Sequence, residues 1–151
     1  MGKITSEYNK EFDVMVYTLE GAITYAEMLE AINGYYKGTL TKYTVWDFTN
    51  ANMLKYFTTD EIKMLAQLVR SLGEARKGGL DALVVPGLLK FGLARMYGVY
   101  SDMTKANETS LKSLIFHTKN EAITWIRQTS MFAQTGDNVG NIKKDDTDVS
   151  L

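Results

Sequence analysis

Cysteine is absent from this chain, and histidine and proline occur once each, as His117 and Pro86. Without cysteine there is no disulfide, no zinc–thiolate centre and no thiol nucleophile. A single histidine excludes two-histidine metal chemistry, and a Ser-His-Asp arrangement would have to use His117. An excess of either charge is missing too. The 17 Lys+Arg and 18 Asp+Glu leave a formal net charge of −1 and a pI of about 5.8. The polycationic footprint of a nucleic-acid binder is not there, and the charges are mixed along the chain as on a solvated surface. No apolar run approaches a membrane span, and the first residues lack the basic-then-apolar pattern of a signal peptide. We expect a cytoplasmic protein with no nucleic-acid partner, no stable membrane insertion, and no metal or cofactor.

Positive signals begin with size: 151 residues at 45% hydrophobic content suit one domain with a real core. A Thr stands three residues ahead of a Glu in Thr24-Tyr25-Ala26-Glu27, Thr58-Thr59-Asp60-Glu61 and Thr118-Lys119-Asn120-Glu121. Each opens an apolar, helix-spaced run. The threonine hydroxyl can take an orphan amide of the first turn while the glutamate reaches back to the cap amide. Each box also follows a β-rich segment, so the chain reads as strand, turn, helix, repeated.

Lys3 to Tyr8 and Phe12 to Leu19 read as a hairpin about the polar turn at Asn9-Lys10. Phe12, Val14, Val16 and Thr18 share one face of the second strand, and Met15, Tyr17 and Leu19 the other, so it is expected to be covered twice. Gly21 is expected to end it. A helix follows from about Tyr25 to Tyr36, with Tyr25, Met28, Leu29, Ile32 and Tyr36 on one stripe and Gly38 as its stop. Tyr43 to Phe48 reads as the third strand. The second helix runs from the Thr58 box to about Gly73 on a stripe of Ile62, Leu65, Ala66, Val69 and Leu72. Arg76-Lys77-Gly78-Gly79 reads as a flexible basic loop. Leu80 to Val85 is a short buried strand, and Pro86-Gly87 launches a helix from Leu88 to about Met103. Leu111 to Phe116 is the fifth strand, and the last box opens a helix with Ala122, Ile123, Trp125 and Ile126. From Ala133 the composition turns polar and loose. Strand–helix alternation after a hairpin gives an α/β fold with a mixed, mostly parallel five-stranded sheet and about four helices.

Some of these segments together resemble a known family. They are Trp46-Asp47, the helix stretch Phe91-Gly92-Leu93-Ala94-Arg95-Met96-Tyr97, and Ile115-Phe116 followed by Glu121-Ala122-Ile123-Thr124-Trp125-Ile126. The chain is similar over about residues 3–127 to small bacterial proteins of the SpoIIAA-like fold, structural relatives of the STAS anti-sigma-factor-antagonist domains. The resemblance implies a βα superhelical layer fold with a regulatory or binding role and no established catalysis. We expect one STAS-like domain over residues 1–130 and a flexible polar tail over 131–151. STAS switch proteins carry a phosphorylatable serine at the start of their second helix. Here the corresponding stretch is Lys55-Tyr56-Phe57-Thr58-Thr59, without serine, so the switch is not expected.

In open α/β sheets, ligands favour the crevice at the carboxyl ends of the strands. That rim presents Asp47, Thr49 and Asn50, then Pro86-Gly87, then His117-Thr118, with Lys90 one turn into the helix after Gly87. A small anion or phosphorylated ligand is the candidate occupant. The plainer account is that Asp47 and Asn50 hydrogen-bond the loop they begin and Lys90 is solvated. His117 is a candidate general base by residue type, but no nucleophile stands beside it in sequence, which favours a structural or exposed role. The helix from Leu88 is apolar on more than one face around Arg95, and Gly92 permits close approach. Phe91, Gly92, Arg95, Tyr97 and Tyr100 are therefore candidates for a partner surface or a lipid-like pocket, although a core helix is apolar all round as well.

The favoured reading is a non-catalytic STAS-like domain that binds a protein partner or itself as a homodimer. A binder of an amphipathic or acyl small molecule is second. A hydrolase using His117 with Asp47 or Asn50 is ranked last.

Overall fold

The computed structural model of the protein describes residues 2–52, 57–87 and 111–132. A hairpin opens the chain. Its strands, β1 (Lys3–Asn9) and β2 (Val14–Ala22), pair antiparallel with Lys3 opposite Glu20 and Asn9 opposite Val14. Asp13 closes the turn at φ 53°, a left-handed conformation that aspartate tolerates better than most side chains. Its carboxylate accepts from the Tyr8 hydroxyl at 3.2 Å and the Lys42 amide at 3.0 Å, and its carbonyl from the Tyr43 amide at 3.1 Å. The hairpin is thereby tied to the start of the third strand.

Helix α1 (Tyr25–Lys37) returns the chain to β3 (Tyr43–Asn52), and α2 (Thr59–Leu72) with a 3-10 turn (Gly73–Arg76) leads to β4 (Leu80–Val84). β5 (Lys112–Phe116) precedes helix α3, described over residues 119–132. The strands lie in the order β1-β2-β3-β4-β5, and β2 to β5 run parallel. This is the mixed, mostly parallel five-stranded sheet expected. Among the described residues there are three α-helices; the helix expected from Leu88 to about Met103 lies outside them.

All three Thr-x-x-Glu boxes open helices. In α1 the Thr24 hydroxyl accepts from the Glu27 amide at 3.2 Å, and Glu27 Oε1 accepts from the Thr24 amide at 3.1 Å. The Thr58–Glu61 pair closes α2 in the same two directions at 3.1 and 2.9 Å. At α3 the Glu121 amide donates to Thr118 Oγ1 at 3.1 Å, and the hydroxyl in turn meets Glu121 Oε1 at 3.3 Å. Gly38 caps the end of α1 as anticipated, its amide donating to the Tyr35 carbonyl.

Both faces of the central strands are buried, as their two-sided apolar sequences require. On one face Tyr17, Leu19, Trp46 and Phe48 pack against Met28, Ile32 and Tyr35 of α1 and Ile62, Leu65 and Val69 of α2. Tyr17 and Trp46, level in the β2–β3 register, stack at 4.1 Å with 6° between their planes. On the other face Val14, Val45, Leu80, Ala82 and Val84 meet Ala122 and Ile126 of α3. In α1 the buried positions are Met28, Ile32 and Tyr35. Tyr25, Leu29 and Tyr36, the rest of the expected stripe, are only partly buried.

Three sequence expectations need correction. β2 does not end at Gly21 but passes through it at φ 74° to Ala22, a conformation open to glycine at no steric cost. β3 does not end at Phe48 but continues to Asn52. The stretch read as a flexible basic loop holds the most buried charge of the described residues. Arg76 is 5% exposed, and its Nη1 contacts Asp81 Oδ1 of β4 at 2.6 Å.

That ion pair is the centre of a polar cluster under the first core, at the amino ends of β3 and β4. Arg76 Nε donates to the Thr41 carbonyl at 2.9 Å, and Nη2 to the Lys42 carbonyl at 3.2 Å. Asp81 also accepts from the buried Thr44 hydroxyl, which accepts from Trp46 Nε1 at 3.2 Å. The Tyr35 hydroxyl bonds Thr41, and the Arg76 guanidinium lies 5.1 Å from the centre of the Tyr35 ring. Burial by itself would push the guanidinium down, but the Asp81 carboxylate outweighs it and holds Arg76 above the ordinary arginine range. Truncating one member of such a pair strands the other in low dielectric at a cost of about 3–5 kcal/mol. Arg76→Met and Asp81→Leu are each expected to lose that much in urea titrations, with Lys77→Met, at an exposed neighbour, close to neutral.

Burial pushes the Tyr36 hydroxyl up to about 12, with the Asp81 carboxylate adding to the shift and the Arg76 charge opposing it. Tyr17 is likewise raised to about 12, first by burial. In the unfolded chain both ionise near the ordinary value of 10.0. Their contribution is therefore whole below pH 10 and is lost as pH rises through about 12, because only the unfolded state sheds protons there. Urea titrations across that alkaline range should show falling stability, with a shallower fall in Tyr36→Phe.

Candidate functional site

The parallel register brings the expected rim together. Asp47 of β3 lies level with Val84 of β4, and Val84 with Phe116 of β5. Pro86-Gly87 and His117-Thr118 therefore follow directly above Asp47. Adjacent strands lie about 4.8 Å apart, so the backbones of Asp47 and Phe116 are separated by about 10 Å, with β4 between. Gly87 is exposed at φ 90°, and His117 is exposed on the bend that leads into α3. Lys90 lies outside the described residues, as do Phe91, Gly92, Arg95, Tyr97 and Tyr100.

A β-bulge shapes the rim. Thr18 pairs with Asp47 and Glu20 with Asn50, so Leu19 alone on β2 spans Phe48 and Thr49 on β3. The extra residue shifts the alternation. Phe48 and Ala51, three positions apart, both enter the first core, while Thr49 and Asn50 are consecutively exposed. Asp47 brackets the bulge: its Oδ1 accepts from the Thr49 amide at 3.0 Å and from the Thr49 hydroxyl at 2.5 Å. This is the loop-holding role that the plainer sequence account gave to Asp47.

Helices α1, α2 and α3 all start at this same rim, which collects their positive dipole ends. Each N-terminus already holds its own glutamate, Glu27, Glu61 or Glu121, against the amide or hydroxyl of its cap threonine, whose oxygen takes the glutamate's amide. An incoming anion would have to displace a tethered carboxylate. At these three helix starts, the anion reading is therefore weakened. Among the described residues no group of three or more His, Cys, Asp or Glu is placed to hold a metal, and no helix is long and apolar enough to cross a membrane.

The Arg76–Asp81 cluster escaped sequence reasoning, although one signal was available. Leu80-Asp81-Ala82-Leu83-Val84 places a carboxylate inside an apolar strand, and such a residue demands a buried cation. The cluster lies at the amino ends of the parallel strands, away from the rim. Arg76 donates to Asp81 and to the carbonyls of Thr41, Lys42 and Leu80, and Asp81 accepts from the Thr44 hydroxyl.

No family model matches the chain, and no curated protein matches it. Among solved structures it is similar to an uncharacterised protein of the DUF3478 family with a SpoIIAA-like fold from Shewanella loihica PV-4. The TM-score is 0.52 at 17% sequence identity, over 83% of this chain and 93% of that one. The chain has a SpoIIAA-like fold, as its sequence resemblance implied.

If Asp47 serves the bulge, Asp47→Ala is expected to cost about 1–2 kcal/mol and to speed amide exchange at Thr49. Asp47→Asn, which keeps an acceptor, should recover most of both. Hydrogen exchange followed by NMR, with urea titration, checks the pair.

Proposed function

We propose that the protein is a non-catalytic STAS-like binding or regulatory domain that works through protein–protein contacts in the cytoplasm. It does so without the phosphorylatable serine of the switch proteins. The observation that carries this reading is an exposed apolar pair on α3: Met131 is 55% and Phe132 79% exposed. Two consecutive large apolar side chains exposed on a helix suit a contact with another protein better than a solvated surface.

The polar groups at the rim support the same reading by what they already do. Asp47 brackets a bulge, and Thr24, Thr58 and Thr118 cap helices. At the start of α2, where the switch proteins keep their serine, the Thr58 oxygen accepts the Glu61 amide. The amphipathic-ligand alternative draws on the helix from Leu88, outside the described residues. The hydrolase alternative needs His117 to work with Asp47 or Asn50, and the Asp47 carboxylate is engaged by Thr49.

Affinity capture from the native host with the wild-type chain and with Met131→Asp/Phe132→Asp tests the proposal. A specific partner held by the first and lost by the second is expected. Turnover of an ester or phosphate substrate that disappears in His117→Ala, with no partner retained, would overturn it.

A further inference from the structure

We propose that two copies of this chain join edge to edge through β1, making one continuous sheet from both sets of five strands. This deepens the protein-contact reading above by naming a second copy as a partner. β1 is the terminal strand of the sheet, and six of its seven residues are exposed, Ile4 being the exception. Among the described residues nothing pairs with its outer edge. Alternate residues along that edge present backbone N–H and C=O groups without a strand to receive them.

The charge pattern of β1 is self-complementary. Lys3, Thr5 and Glu7 alternate along the strand and share a face. A two-fold axis normal to the sheet sets two β1 strands antiparallel and leaves every residue on its own face. Among the registers this symmetry allows, one centres on Thr5. Lys3 then stands opposite Glu7 of the partner subunit, Glu7 opposite Lys3 of the partner subunit, and the two Thr5 residues meet on the axis. Opposite-charge and Thr–Thr cross-strand pairs stabilise adjacent strands. Sliding by two residues in either direction breaks both ion pairs.

Among the described residues, neither Lys3 nor Glu7 has an ion-pair partner, although Lys3 stands opposite Glu20 across the hairpin. The two charges are thus available to the edge. A lone lysine on an edge strand discourages indiscriminate pairing. A lysine and a glutamate four residues apart do more: they admit one partner in one register.

Sedimentation equilibrium over a wide concentration range, with circular dichroism to confirm folding, is the test. The wild-type chain should dimerise. Lys3→Glu and Glu7→Lys should each weaken the dimer about 10-fold or more, since each turns two attractive pairs repulsive. The double variant Lys3→Glu/Glu7→Lys should restore wild-type association, because the charges only exchange places. A strict monomer, a dimer indifferent to the single substitutions, or a double variant no better than the singles would each overturn the proposal. A monomer would leave capture of a different protein through Phe132 untouched, so the two readings fail separately.

Discussion

The fold depends on one buried charge pair. Arg76 ends the 3-10 turn after α2, Asp81 sits on β4, and between them they gather the carbonyls of Thr41 and Lys42 from the segment that enters β3. Those carbonyls are shared with other donors: Thr41 also accepts from the Tyr35 hydroxyl, and Lys42 from the Leu80 amide. Helix α1, the start of β3, the end of α2 and the start of β4 therefore meet at one guanidinium. Arginine suits this junction because its fork offers five donors in fixed geometry, where a lysine would offer a flexible point charge. Replacing the pair by apolar residues can be neutral when nothing else depends on it. Here the same donors also fix backbone, so such a replacement removes more than an ion pair.

The sheet is polarised end to end. Its amino end carries the charge cluster and fixes the strands. Its carboxyl end carries the helix starts and the β3 bulge, each held by its own side chain. Polar residues that look reactive in the sequence serve as joinery at both ends. What the described residues leave for other molecules is chiefly surface: the exposed side of β1 and the Met131–Phe132 pair of α3.

Much of the architecture was legible because local signals agreed with one another. The Thr-x-x-Glu boxes marked helix starts, and two-sided apolar strands marked a sheet covered on both faces. The errors fell where one residue carries two meanings. Gly21 looked like a terminator but serves as a left-handed link within β2. Asp47, Thr49 and Asn50 looked like a loop because polar, turn-forming residues are what a bulge also uses. Arg76 looked solvated because its neighbours Lys77, Gly78 and Gly79 resemble a loop, and its partner is five residues on in another element. Periodicity reports which side a residue faces. It does not report which charges meet. For the same reason the rim could be assembled from strand ends, while the use already made of its groups could not.

The two cores differ in how they are closed. The first is roofed by α1 and α2, which the ribosome delivers between the strands they cover. Among the described residues, the second is roofed by α3, which follows every strand in the sheet. Domains form as the chain emerges, at about 5–20 residues per second. During that interval Val45, Ala82 and Val84 lie on a sheet face that still lacks Ala122 and Ile126. The nascent chain therefore passes through a stage in which α3 is a late-arriving cover for an adhesive surface.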